Sequence, residues 1–240
     1  MTPRTPALRV KLFADGADLA SMRTLASDPK IRGFTTNPTL MRASGISAYE
    51  PFARELLSLI PDKPISFEVV GDDEATILRQ ARLLASWAKN VYVKIPVTTT
   101  TGASNAKIVK TLAHDGVQLN VTAVFTLAQV QEMCAALQGG APSVVSVFAG
   151  RIADAGIDPV PHMKAARAIC RAYDARIELL WASPRELLNV LQADESGADI
   201  ITATPALLSK LDNLGKDLTQ FSLETVQMFK RDADAAGLTL

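Results

Sequence analysis

The chain has 240 residues, 48% of them hydrophobic and 21% charged, with 25 lysines and arginines against 25 aspartates and glutamates. That length suits one α/β barrel, which takes roughly 250 residues, and the charge balance leaves no basic face for nucleic acid or a membrane surface. No apolar run reaches the ~18–20 residues of a membrane span, and no apolar stretch follows Met1–Arg9, so the segment reads as a flexible tail rather than a signal peptide, and the protein as cytoplasmic.

The rest of the chain alternates short β-rich runs with amphipathic helical patterns. The first run, Lys11–Gly16, ends on Asp15. The second, Gly33–Asn37, carries Thr35 and Asn37, and the third, Ile65–Val70, carries Glu68. A helix over Glu74–Lys89 leads to the fourth run, Val91–Val97, with Lys94 at its centre. The fifth, Leu119–Phe125, holds Asn120 and Thr122 and is followed by a helix over Thr126–Leu137. The sixth, Val144–Gly150, holds Ser146, with Arg151 just beyond it. After a helix over Pro161–Tyr173, the seventh run, Arg176–Ser183, ends on Ser183, and Asp199–Thr204 makes the eighth. A last helix, Leu223–Ala236, extends past what a barrel requires and is suited to cover the site or to meet a neighbouring subunit. Ser104 and Thr126 are placed to cap helices, Pro184 and Pro205 to open them, and Gly116 and Gly139 to close them.

Eight strands with crossovers close into a (β/α)8 barrel, whereas an open dinucleotide-binding sheet usually stops near six strands and needs a GxGxxG turn that is missing here. The interior of such a barrel is normally filled by valine, isoleucine and leucine, and chemistry sits at the C-terminal strand ends. Polar residues there are therefore the informative ones, and nearly every strand contributes one. Lys94 stands out because an ammonium among Val91, Val93, Ile95 and Val97 must find a partner or titrate to the neutral amine, which is a nucleophile for carbonyls. A lysine at a strand edge, snorkelling out to solvent or paired structurally, explains the same residue. Asp15 and Glu68 read either as helix caps or as an acid and base converging on that amine. Cys134 and Cys170 read as buried thiols with no metal or redox spacing around them, and His114 and His162 sit in polar, helix-end contexts that favour a structural place over a triad or ligand role.

Four segments carry a family resemblance. Thr35-Thr36-Asn37-Pro38-Thr39 resembles the TTNPS/T signature of transaldolases, and Val91–Thr98 resembles their Schiff-base lysine strand. Leu119–Phe125 and Ser146–Ile152 resemble their fifth and sixth strands. The resemblance runs from about Phe13 to the final helix. It implies a transaldolase that moves a dihydroxyacetone unit from a ketose phosphate to an aldose through an imine on Lys94, with no metal and no organic cofactor. By resemblance Asp15 handles the C4 hydroxyl proton, and Glu68 with Thr122 holds a catalytic water. Thr35, Asn37, Asn120, Ser146, Phe148 and Ser183 line the substrate, and Arg151 meets its phosphate.

Glu68 and Phe148 follow the transaldolase pattern, where the related fructose-6-phosphate aldolases, which release free dihydroxyacetone, are similar to one another in carrying glutamine and tyrosine. The segment Trp181–Glu186 departs from the family's ASFR-like ending, so Arg185 is the candidate replacement cation from the first turn of its helix. That departure admits a modified substrate, such as a sulfonated sugar. A silent sugar-binding barrel is the reading outside enzymes. Short family members form rings of five or ten subunits, which makes a homo-oligomer the implied assembly.

Overall fold

The computed structural model describes residues 8–239, so most of the expected N-terminal tail lies outside the described residues. Two compact units emerge: Leu8–Leu208, and the C-terminal stretch from Ser209. The first is a closed barrel of eight parallel strands in sequential order, β1 to β8. They are β1 (Lys11–Asp15), β2 (Ile31–Thr35), β3 (Ile65–Glu68), β4 (Val91–Pro96), β5 (Leu119–Val124), β6 (Ser143–Val147), β7 (Ile177–Trp181) and β8 (Ile200–Ala203). The helices of the outer layer begin with α1 (Leu19–Ala26), α2 (Pro38–Ala43), α3 (Tyr49–Leu59), α4 (Glu74–Ser86) and α5 (Ala106–His114). They continue with α6 (Leu127–Leu137), α7 (Ala149–Asp154), α8 (Pro159–Tyr173), α9 (Leu188–Ser196) and α10 (Pro205–Leu208).

Strand side chains alternate between two surroundings, as a period of two demands. Val91, Val93 and Ile95 of β4 are almost fully buried, facing the helices, while Tyr92 and Lys94 line cavities inside the barrel. The helices supply their apolar faces to the outer core; α4, for example, buries Ile77, Ala81 and Leu84. Inside, Phe13, Val144, Leu180, Ala182 and Ile200 form a small apolar cluster with Tyr92 and Phe148 packed against it. Cys134 and Cys170 are fully buried on neighbouring helices, their sulfurs 3.6 Å apart.

Several boundaries differ from the sequence reading. β2 starts at Ile31 rather than Gly33. Gly33 sits mid-strand because the Phe13 ring lies on it: a Cβ there would be 2.4 Å from the ring. The sixth run stops at Val147, and Phe148 already caps α7, so Gly150 and Arg151 are helical. The reason is contact: Gly150 donates to the Ala182 carbonyl at 3.2 Å, and a Cβ on it would fall 1.5 Å from the Ser183 oxygen. Pro184 does not open a helix, since α9 begins at Leu188; there the Asn189 side chain accepts from the backbone N–H groups of Arg185 and Glu186. Asn105, not Ser104, takes the cap position of α5, although the Ser104 hydroxyl still accepts from Ala106 at 3.2 Å.

Thr126 forms a full capping box with Gln129, Pro205 opens α10, and Gly116 and Gly139 take positive φ past helix ends. In the C-terminal unit a 3-10 turn over Leu211–Asn213 leads to α11 (Leu218–Ala235), which starts five residues earlier than read because Asp217 caps it through Gln220.

The Gly33 contact is testable. Gly33→Ala drives a methyl into the Phe13 ring, and overpacking of this kind costs ~1–3 kcal/mol, read as a lower denaturant midpoint. Phe13→Leu in the same chain recovers part of that loss; additive losses would show that the two residues do not touch.

Candidate active site

The residues that the sequence marked converge on one cavity of about 410 Å³ at the C-terminal ends of the strands. Asp15, Thr35, Glu68 and Lys94 reach it from β1 to β4. Asn120, Thr122 and Ser146 reach it from β5 and β6. Asn37, Phe148, Arg151 and Ser183 line it from the segments just beyond the strands.

Lys94 is 6% exposed, and its Nζ stands 2.9 Å from Glu68 Oε2. The pairing is fixed by register, since Glu68 and Lys94 are direct partners in the β3–β4 ladder. The Nζ also donates to the Thr36 carbonyl at 2.9 Å. Thr36 is itself pinned, because its backbone N–H and its hydroxyl both donate to the Ser66 carbonyl, at 3.1 and 2.9 Å. On the other side of Glu68, the Tyr49 hydroxyl donates to its backbone carbonyl at 2.7 Å. The lysine head is thus held by two acceptors whose own positions are fixed.

Asp15 accepts from the Thr35 hydroxyl at 2.7 Å. That hydroxyl also lies 2.6 Å from the Thr202 hydroxyl. A hydroxyl has one proton, so with Thr35 donating to Asp15 the second bond must come from Thr202. Burial pushes the Asp15 carboxyl above its ordinary range, and Glu68 adds to the rise; Lys94 and the Thr35 bond oppose it without overcoming it. The cavity therefore places a buried amine, a carboxylate paired with it, and a second carboxyl with a raised proton affinity on three strands.

Asn120 is held from both sides: Ser146 Oγ donates to its Oδ1 at 2.6 Å, and its Nδ2 donates to Ser66 Oγ at 3.0 Å. Asn37 spends its Oδ1 on capping α2 through Leu40 at 3.0 Å, which leaves its amide N–H groups toward the cavity it lines. Among the described residues, the two non-glycine residues with positive φ, Ala123 and Ser183, both line this cavity. In β5 the unusual backbone coincides with a register shift between Val121 and Val124, which turns Thr122 and Ala123 to the same side. Backbone kept in sparsely populated regions clusters at functional sites.

Arg151 lies over the Phe148 ring, 5.3 Å from its centroid, and both line the cavity. Arg185 does not. Its Nε sits 3.1 and 3.0 Å from the two carboxylate oxygens of Asp154, with Nη2 on the same group, and this contact holds Asp154 below the ordinary carboxylate range. Arg185 precedes α9 and faces α7 instead of replacing the missing cation from a helical first turn.

Sequence reasoning overlooked Thr202, Tyr49 and Ser66. Thr202 and Ser66 carried the same signal as the others, a hydroxyl inside an apolar strand. Tyr49 carried none, because its contact with Glu68 crosses from a helix to a strand end.

The chain is a member of the transaldolase/fructose-6-phosphate aldolase family, whose model matches residues 12–240. It is similar to a probable transaldolase of Sphingopyxis alaskensis, at 37% identity over 202 residues, covering 84% of this chain and 89% of that protein. A probable transaldolase of Hyphomonas neptunium is 36% identical over 231 residues, covering 95% of this chain and 99% of that protein. Among solved structures, KGPDC from Streptococcus mutans superposes with a TM-score of 0.54 at 12% identity, over 81% of this chain and 88% of that one, a likeness of fold.

The raised proton affinity of Asp15 sets an expectation. Ionising this carboxyl costs more in the folded state than in the unfolded chain, so its charged form is destabilising above the ordinary carboxylate range. Asp15→Asn is expected to raise the unfolding temperature at pH 7 and to lose that advantage on acidification to pH 4. Activity falls by at least ~100-fold if Asp15 is the acid–base group. An Asn variant less stable than wild type at neutral pH would show that the carboxylate is net stabilising instead.

Proposed function

We propose that this protein is a transaldolase that carries a dihydroxyacetone unit on Lys94. The observation that carries the reading is the buried Lys94 Nζ, 2.9 Å from Glu68 at the floor of a polar barrel mouth. Glu68 is placed to take the ammonium proton and free the amine for attack on the C2 carbonyl of a ketose. Loss of one water then gives the protonated imine.

The imine draws electrons from the C3–C4 bond while Asp15 takes the C4 hydroxyl proton, and the first aldose leaves. Carbon 3 of the resulting enamine adds to the aldehyde of the acceptor as Asp15 returns the proton. One water, held by Glu68 and Thr122, hydrolyses the new imine and restores Lys94. Asn37, Asn120 and Ser146 meet the hydroxyls of the three-carbon unit, with Thr35 and Ser183 completing the wall.

Phe148 favours transfer over release, because a phenyl ring offers no proton or water contact that would quench the enamine before the acceptor arrives. Arg151 is the only arginine among the described residues lining the cavity, and Arg185 is engaged by Asp154. One guanidinium suits the terminal phosphate of a sugar and also a singly charged group such as a sulfonate, so both classes of ketose enter the test.

Incubation with fructose 6-phosphate or a 6-sulfonated ketose, followed by borohydride and peptide mass spectrometry, is expected to leave a dihydroxyacetone-derived adduct on Lys94. The adduct is lost in Lys94→Ala. Without acceptor aldehyde, little free dihydroxyacetone should appear; steady release would instead mark an aldolase. No adduct with any ketose on folded protein would move the silent sugar-binding barrel to first place.

Self-association is the second part of the reading. None of the residues of α11 is buried, and Leu218, Phe221, Leu223, Val226 and Phe229 are exposed on it. An apolar stripe of this size normally marks an interface. Light scattering is expected to report a ring-sized assembly, of five or ten copies by family resemblance, and a smaller species when the chain ends at Lys216.

A further inference from the structure

The barrel holds a second cavity, of about 480 Å³, at the N-terminal ends of the strands. It is comparable in size to the one around Lys94, although a barrel of this kind is normally filled at this depth by bulky branched side chains. Lys11 and Glu178 form an ion pair at its rim, and Ser66 and Tyr92 line it further in. Asn120 belongs to the walls of both cavities. The partition between the two mouths is therefore one side chain thick at that point.

That side chain is part of a polar file running along the barrel. Ser146 in the upper cavity donates to Asn120 at 2.6 Å, and Asn120 donates to Ser66 in the lower cavity at 3.0 Å. Apolar neighbours, Phe13, Val144 and Leu180, fill the rest of the layer. Three hydrogen-bonding groups in succession, each 3% exposed or less, form the kind of surface along which single water molecules are held and exchanged.

On the imine reading above, the reaction needs such a route. Amine plus ketone gives imine plus one water, and the reverse step consumes one water, while the sugar occupies the upper mouth. We infer that water enters and leaves the Lys94 site through the N-terminal mouth, along Ser66 and Asn120, so that Ser66 is a gate for water at the back of the barrel.

Two small substitutions separate passage from positioning. Ser66→Thr keeps the hydroxyl for Asn120 but adds a methyl to the route; Ser66→Ala removes the hydroxyl and widens it. The measurement is incorporation of 18O from labelled water into the C2 carbonyl of fructose 6-phosphate at saturating sugar, by mass spectrometry, corrected for spontaneous exchange. The expected result is exchange several-fold slower in Ser66→Thr than in Ser66→Ala, with both proteins trapped at Lys94 by borohydride.

Exchange slower in Ser66→Ala than in Ser66→Thr would show that the hydroxyl only orients Asn120, and equal rates would show that water takes another way; either overturns the gate. Absence of a trapped adduct in the unmodified protein is a different failure, that of the imine itself, and removes the need for the route.

Discussion

The Lys94 head is buried beside Glu68. Taking an ammonium out of water costs several kcal/mol even after relaxation. The barrel offsets that cost with one carboxylate oxygen and one backbone carbonyl, each at 2.9 Å. Neither acceptor is free to drift. Thr36 is tied by two bonds to the Ser66 carbonyl, and Glu68 is held by ladder register and by Tyr49. Much of the polar order in the upper barrel follows from keeping one lysine satisfied.

The same arrangement accounts for the contrast between the two carboxyls. Glu68 faces the lysine directly, so it has a cation within hydrogen-bond distance. Asp15 has a threonine as its hydrogen-bond donor, and burial prevails over the attraction of Lys94. Two acids in one cavity thereby have different partners, a cation for Glu68 and a hydroxyl for Asp15. Further down, polar groups continue through Asn120 to Ser66, where a purely apolar layer would have made a tighter core.

Backbone geometry completes the mouth. Gly150 lies so close to the Ser183 carbonyl that no other residue fits, and Ser183 itself has a left-handed backbone. This contact locks the start of α7 to the end of β7, and with it the positions of Arg151 and Ser183 around the cavity. It also sends the segment after Ser183 toward α7, where Asp154 captures Arg185.

The eight-strand rhythm, the barrel and the polar residues at the strand ends can be read from the chain alone, because a period of two and a polar residue inside an apolar run are local signals. Lys94, Asp15, Glu68 and Thr122 were legible for that reason. That Glu68 rather than Asp15 pairs with the lysine, that Thr202 and Tyr49 support them, and that Arg185 turns away is visible in the folded barrel alone. Those outcomes depend on register between strands and on contacts between residues far apart in the chain. The start of β2 at Ile31 has the same origin: the second run reads as beginning at Gly33, and the Phe13 ring occupies the space in which a side chain would have marked that residue as mid-strand.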